Sequence, residues 1–409
     1  MPPLSQSPGF VPFVAASMLA RLAESALAVL LGITVYRLAG TAMALGWLGL
    51  VEAVPMIGLV LLGGHVADRA SRKRVTFAAR LVVAGLCLAL GLAAVLPPSE
   101  GLALLYATSF AIGCARAFEE PANSGLEAQV VPAAQAVRAA SVIGTATRAC
   151  SLAGPPLGGI LFDLAGPVAT YTTIAGLLAC SCGVILFGIA HRAAHASGTR
   201  SGMVANIAEG VRYVFSDQII VGSMALDLFA VFFGGMAGLL PIFASDILDV
   251  GPTSVGLMRA ALSAGVLAAM MVAVRHPPRA RAGLALHLAI AGFGAAVIVF
   301  GLSTNFALSM AALFVMGACD GVSVVVRHAI VRLAAPEGMR GRIAAVRSVF
   351  INSSNELGTF ESGLTASIVG PAPAVWLGGI ATLLIVAVTA WRAPRLRRLD
   401  LSELQAGKT

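Results

Sequence analysis

The feature that most constrains this chain is a succession of apolar runs, each close to twenty residues long and separated by short polar hinges. Twenty helical residues rise about 30 Å, the thickness of a bilayer's hydrocarbon core. Inside lipid every backbone N–H and C=O needs a partner in its own segment, so such runs fold as helices. Hydrophobic residues make up 58% of the chain and charged residues 11%, about half the charged share of a soluble domain. A chain of 409 residues has the length of two or three soluble domains; a mean hydropathy of +0.91 excludes that reading.

The runs predict twelve spans, at 11–36, 41–64, 75–96, 102–125, 138–163 and 168–190, then 219–246, 253–275, 282–302, 306–332, 343–369 and 373–392. The expected fold class is all-α integral membrane, with two six-helix bundles at 1–190 and 219–393. A linker at 191–218 joins them, its NIAEGVRYVF stretch spaced as an amphipathic surface helix. A basic tail follows at 394–409. Lys and Arg crowd 69–80, 192–212, 275–281, 340–347 and 392–398, while Glu100, Asp163, Asp246 and Asp249 occupy the intervening loops. By the positive-inside rule the basic loops, and with them both termini, are cytoplasmic. GCARAFEEPANSGLEAQVVP at 113–132 aligns loosely with ACDGVSVVVRHAIVRLAAP at 318–336, the trace of a six-plus-six duplication.

Several function classes fall away. The net charge of +8 sits in alternate loops, a topological signature and not a nucleic-acid face. Cys87, Cys114, Cys150, Cys180, Cys182 and Cys319 all lie in apolar runs at no metal-ligand spacing. The six histidines form no cluster, and neither HExxH nor a phosphate-binding Gly-xxxx-Gly-Lys loop occurs. No nucleophile stands beside a credible base. The expectation is a protein that is not an enzyme and holds neither metal nor cofactor. MPPLSQSPGF lacks the basic start of a cleavable signal.

Three motifs point to transport. GHVADRASRKR places Gly64, Asp68, Arg69, Arg72 and Lys73 between two apolar runs. This spacing resembles the helix 2–3 loop of the major facilitator superfamily, with Ser71 where the family usually has Gly. The resemblance implies a cytoplasmic gating loop. Gly64 would allow close helix approach, Asp68 would meet a helix N-terminus, and Arg72 and Lys73 would pair with carboxylates or lipid phosphates. In the fifth run, Gly154-Pro155-Pro156-Leu157-Gly158-Gly159 resembles the superfamily's Gly-Pro-xx-Gly-Gly element, associated with exporters. GITVYRLAG, LDLFAVFFGGMAGLLPIFASDIL and PEGMRGRIAAVRSVFINSSNELGTFESG look like its enterobactin-exporter branch, which also holds drug and macrolide exporters.

A charge near the bilayer centre costs about 2.5–3.5 kcal/mol on insertion scales, so each ionisable residue within a run needs a partner or a cavity. Glu24 and Arg21 lie three apart in the first run, Glu52 in the second, and Arg116, Glu119 and Glu120 in the fourth. Arg21–Glu24 and Arg116–Glu120 read as ion pairs along one helix. Arg148 in the fifth run is a gate partner beside the Gly-Pro element. Asp227, Arg259, Asp320, Arg327, Asn355, Glu356 and Glu361 occupy the second half, Asn352 and Asn355 lining a polar cavity beside Glu356. Asp227, Glu356 and Glu361 have no partner within a helical turn, which suits a functional role as well as a structural one; with Glu24 they are the candidates for coupling or binding. The expected function is export of a small amphipathic molecule, siderophore-like or drug, through a bacterial inner membrane. Protons are the expected coupling ion, exchanged by alternating access in a single chain surrounded by lipid. Proton-independent facilitation or lipid flipping is the alternative, and a membrane sensor a more distant one.

Overall fold

The computed structural model of the protein describes residues 7, 9–131, 135–190, 209, 212–276, 280–334 and 340–401, apart from the side chains at 61, 68, 137, 334 and 340–353. The linker expected at 191–218 and the tail past 401 therefore lie largely outside the described residues. No strand occurs among them. Ten helices among the described residues are long and apolar enough to cross a membrane.

The chain forms α1 (Phe10–Ala39), α2 (Ala42–Arg69), α3 (Arg72–Ala93), α4 (Pro98–Val130) and α5 (Ala136–Gly188). Then come α6 (Gln218–Phe233), whose span continues through tighter and wider turns to Ile247, α7 (Pro252–Arg275) and α8 (Ala282–Leu302). The last are α9 (Phe306–Ala334), α10 (Arg340–Val369), α11 (Pro371–Arg392) and the short α12 (Pro394–Arg397). Local chemistry sets the ends. Gly40 closes α1 in the left-handed region, its N–H donating to the Tyr36 carbonyl. Pro98 opens α4 with Glu100 in its first turn, where a missing N–H costs nothing and a negative charge favours the dipole. The Asp217 carboxylate accepts from the N–H groups of Ile219 and Ile220 at 2.8 and 3.0 Å, capping α6.

At 53 residues, a straight α5 would run about 80 Å, far more than one crossing needs. Its backbone leaves helical geometry at Gly166 (φ 79, ψ 175) beside Pro167. Only glycine adopts that conformation without strain, and the proline breaks the hydrogen-bond ladder. α5 is thus two limbs on either side of Gly166.

Two compact units divide the chain. The first comprises Met1–Gly198 with Asp249–Ala260, and the second Thr199–Leu248 with Ala261–Thr409. In the first, α1 packs along α5, α2 against α4, and α3 against α4 and α5. Phe10, Phe13, Leu126, Ile143 and Ile185 belong to its buried core. In the second, α8 packs against α9 and α11, and α10 against α6, around Leu226, Leu286, Ile290, Val326, Ile330 and Leu396. Glycines bring backbones together in both. Gly63 of α2 lies against the Ala117 carbonyl of α4, and Gly317 of α9 against that of Leu262 in α7. Close approach of this kind drives helix association where lipid removes the hydrophobic incentive. Large apolar side chains such as Leu164, Phe187 and Val274 are exposed at the protein surface.

Candidate functional site

The charged residues of the first unit divide by exposure. Arg80 of α3 and Glu119 of α4 form a closed pair, Arg80 being only 3% exposed. Its Nε donates to Glu119 Oε1 at 2.7 Å, Nη1 to Ser181 Oγ at 2.8 Å and Nη2 to Asn123 Oδ1 at 3.1 Å. Nη1 also reaches the Ala16 carbonyl, to which Ser181 Oγ donates in turn. One guanidinium thereby ties α1, α3, α4 and the second limb of α5 together. A buried charge satisfied this fully locks structure in place.

Beside it lies a more open group. Arg116 of α4 reaches across to Glu52 of α2 at 3.2 Å, an ion pair that bridges two helices, and it also attracts Glu120, the partner expected along its own helix. Arg21 and Glu24 of α1 stand 3.5 Å apart. Glu120 is exposed and within electrostatic reach of Arg21, Glu24 and Arg116. Three carboxylates (Glu24, Glu52, Glu120) thus meet two guanidiniums (Arg21, Arg116). Glu52 Oε1 is buried with no hydrogen-bond partner among the described residues, a costly state for an ionised oxygen.

The second unit gathers a smaller group. Asp227 of α6 is ion-paired with Arg327 of α9. A second nitrogen of Arg327 lies 3.8 Å from Asp320 Oδ1, and Nε donates to the Ser323 carbonyl at 3.2 Å. The Arg327 and Asp227 side chains are 7% and 9% exposed, that of Asp320 36%. The partner of Asp227 comes from another helix, a hundred residues on. On α10, Glu361 is half-buried and accepts from Thr365 Oγ1 at 2.9 Å, Glu356 is half-buried and Asn355 is exposed. Arg148 on α5 is exposed.

The Gly-Pro element is a packing surface with two faces. A Cβ at Gly154 would strike Ser25 and the backbone of α1, and one at Gly158 would meet Ala26. On the other face, Gly159 lies against Pro252 and Thr253, and Gly256 against the Pro155 carbonyl. Just beyond, Asp163 accepts from both the backbone N–H and the hydroxyl of Thr253. That places a carboxylate at the start of α7, where the helix dipole favours it.

In the basic loop, Ser71 has extended geometry (φ −65, ψ 114), so the turn needs no glycine. Arg72 donates to the Gly125 carbonyl at 3.0 Å, and Lys73 Nζ to the carbonyls of Leu186 and Ile189 at 2.8 and 2.5 Å. Lys73 thereby covers the unpaired C-terminal carbonyls of α5, where a carboxylate or phosphate partner was expected. Gly64 is half-buried, Arg69 is exposed and the Asp68 side chain lies outside the described residues. The close contact on α4 is made one position earlier, at Gly63. Among the described residues no three His, Cys, Asp or Glu gather as a metal site would require.

Arg80 falls among the basic residues at 69–80 and is also the sixth residue of the apolar run 75–96, which is the signal that it is buried. Glu52 and Arg327 were visible as ionisable residues, but Arg116 and Asp227, which pair with them, are on other helices.

A family model described as "Transmembrane secretion effector" matches residues 3–408. The multidrug efflux pump Tap of Mycolicibacterium fortuitum is 25% identical over 383 residues, covering 89% of this chain and 90% of its own. The enterobactin exporter EntS of Escherichia coli is 23% identical over 348 residues, covering 84% and 81%. Among solved structures, a POT family transporter in complex with 5-aminolevulinic acid superposes with a TM-score of 0.74 at 11% identity, covering 95% of this chain and 97% of that one. The peptide transporter POT in complex with sulfate gives 0.72 at 14% identity, covering 96% of each.

Proposed function

We propose that this chain, which belongs to the transmembrane secretion effector family of the major facilitator superfamily, exports a small amphipathic molecule by proton-coupled alternating access. It is a multi-pass membrane transporter and not an enzyme; its related transporters are efflux proteins. The cargo is siderophore-like or drug-like, and the membrane a bacterial inner membrane, in which the chain acts alone. Twelve crossings follow if both limbs of α5 and the more polar α10 each span. Both termini are then cytoplasmic, with bundles at 1–190 and 219–393 joined by a cytoplasmic linker at 191–218.

The observation that supports the coupling is the gathering of several carboxylates around shared guanidiniums, Glu24, Glu52 and Glu120 near Arg21 and Arg116, and Asp227 and Asp320 near Arg327. A carboxylate in an apolar surround is costly when ionised. A proton or a cationic part of the cargo relieves that cost, and losing it restores the charge. Asp320 is the more open carboxylate around Arg327, so it is the group best placed to exchange a proton while Asp227 holds the guanidinium. Glu52, with one oxygen unpartnered, has the corresponding role beside Arg116. Glu24 lies with it, and Glu356 and Glu361 on α10 are further candidates for lining the cargo path.

The test is efflux of dyes and siderophores from proteoliposomes, with and without an imposed pH gradient, for wild type, Asp320→Asn and Glu52→Gln. Gradient-dependent efflux, reduced about tenfold or more in Asp320→Asn, supports antiport; removing an interaction worth about 1.4 kcal/mol has that effect. Equal flux without a gradient in all three removes antiport and leaves facilitation or lipid transfer. No flux for any cargo restores the sensor alternative.

A further inference from the structure

The segment after the last long helix is built into the second unit. Ala393, Leu396, Leu399 and Leu401 are all buried and belong to the core that includes Leu226 of α6, Leu286 of α8 and Val326 of α9. Leu396 lies over Gly222 of α6, and its carbonyl sits where a Cβ at Gly283 of α8 would fall. Hydrogen bonds reinforce the docking. Gly283 N–H donates to the Leu399 carbonyl at 3.1 Å, Arg281 N–H to Asp400 Oδ2 at 3.4 Å, and Gln218 Nε2 to the Arg392 carbonyl at 3.0 Å.

The docking leaves arginines outward. Arg392, Arg395, Arg397 and Arg398 are exposed, as are Arg275 and Arg281. None of the four tail arginines forms an ion pair among the described residues. Trp391, at the end of α11, is 74% exposed, with the Arg392 guanidinium 5.3 Å from its ring centroid. A tryptophan at the end of a spanning helix sits at headgroup level. The arginines directly behind it are therefore held where lipid phosphates lie.

We propose that this docked segment is a binding surface for anionic lipid headgroups, which fastens the ends of α6, α8 and α11 to the bilayer. A charge serving only to orient the nascent chain needs no fixed position. Here buried leucines on one side fix where the guanidiniums on the other side point. Four cations directly beside a spanning helix match the density at which basic clusters bind anionic lipid. Planar guanidiniums with free N–H forks suit phosphate oxygens. The inference does not depend on proton coupling.

The test uses the full-length protein in nanodiscs of phosphatidylcholine, with and without added phosphatidylglycerol. Thermal unfolding and native mass spectrometry of retained lipid are the readouts. Wild type is expected to gain stability and retain phosphatidylglycerol, and both effects should shrink in high salt. R395Q/R397Q/R398Q should weaken phosphatidylglycerol binding on the order of a hundredfold, since each cation near an anionic surface contributes about fivefold. The matching lysine variant should retain most of the effect. Leu396→Ala keeps every arginine and frees the docked segment, so it should lose the lipid-dependent stabilisation. A glutamine variant that responds to phosphatidylglycerol as wild type does overturns the proposal. So does an undiminished response in Leu396→Ala, which would leave the arginines acting as an undocked tail.

Discussion

Arg80 and Arg21 show how burial decides the value of an ion pair. Arg80 is enclosed with Glu119, Asn123 and Ser181 around it, whereas half of the Arg21 side chain is exposed beside Glu24. Removing Glu119 strands a buried guanidinium, so Glu119→Leu is expected to destabilise the first unit by about 3–5 kcal/mol. Arg21→Ala should cost less than about 1 kcal/mol, the range of solvent-exposed pairs. Thermal unfolding in one detergent checks both, and comparable losses would contradict the contrast. Replacing Arg80 and Glu119 together by Met and Leu should recover most of the deficit, because neither partner is then left alone. At this scale the sequence was legible in residue type and in the Arg21–Glu24 pair along one helix, and blind to pairing between helices. It placed a charge in nearly every relevant run, yet Asp227 finds Arg327 and Arg116 finds Glu52 only when different helices meet.

Among elements, α5 held the most that could be read and the most that could not. Its glycines and prolines announced close packing, but only the fold shows that Gly154 and Gly158 serve α1 while Gly159 serves the start of α7. Its two runs and the Gly166-Pro167 hinge between them were readable because glycine and proline act locally on the backbone. The Lys73 contacts with the end of α5 were not readable, since any carbonyl can accept and the sequence does not say which end is near. Gly158→Leu is expected to push α1 away and lower both stability and transport, since even its Cβ would stand 3.0 Å from that of Ala26. Overpacking of this kind typically costs about 1–3 kcal/mol. Gly176→Leu is the control, because a Cβ at that position of the same helix would have nothing within 4 Å. Its unfolding midpoint and efflux should stay close to wild type, and equal loss in both variants would mean that glycine itself, not the contact, matters.

For the whole molecule, α7 is the element that both units share, clustering with the first as far as Ala260 and with the second beyond it. Any cycle that rearranges the units has to act on this helix. Its start is held by the Asp163 carboxylate on Thr253 and by Gly159 and Gly256 in backbone contact. Hydrogen bonds to a carboxylate contribute about 1.5–3 kcal/mol, enough to shift a two-state equilibrium about tenfold or more. If the hold is released once per cycle, Asp163→Ala should change the transport rate, while lowering the unfolding midpoint by no more than the loss of these two bonds accounts for. Joining the two positions should arrest the cycle. With the six native cysteines replaced, Asp163→Cys and Thr253→Cys bridged by a short thiol cross-linker should abolish efflux, and a reducible linker should restore it on cleavage. Full flux through the cross-linked protein would mean that the start of α7 stays on α5 throughout, and that the rearrangement falls beyond Ala260, where the same helix belongs to the other unit.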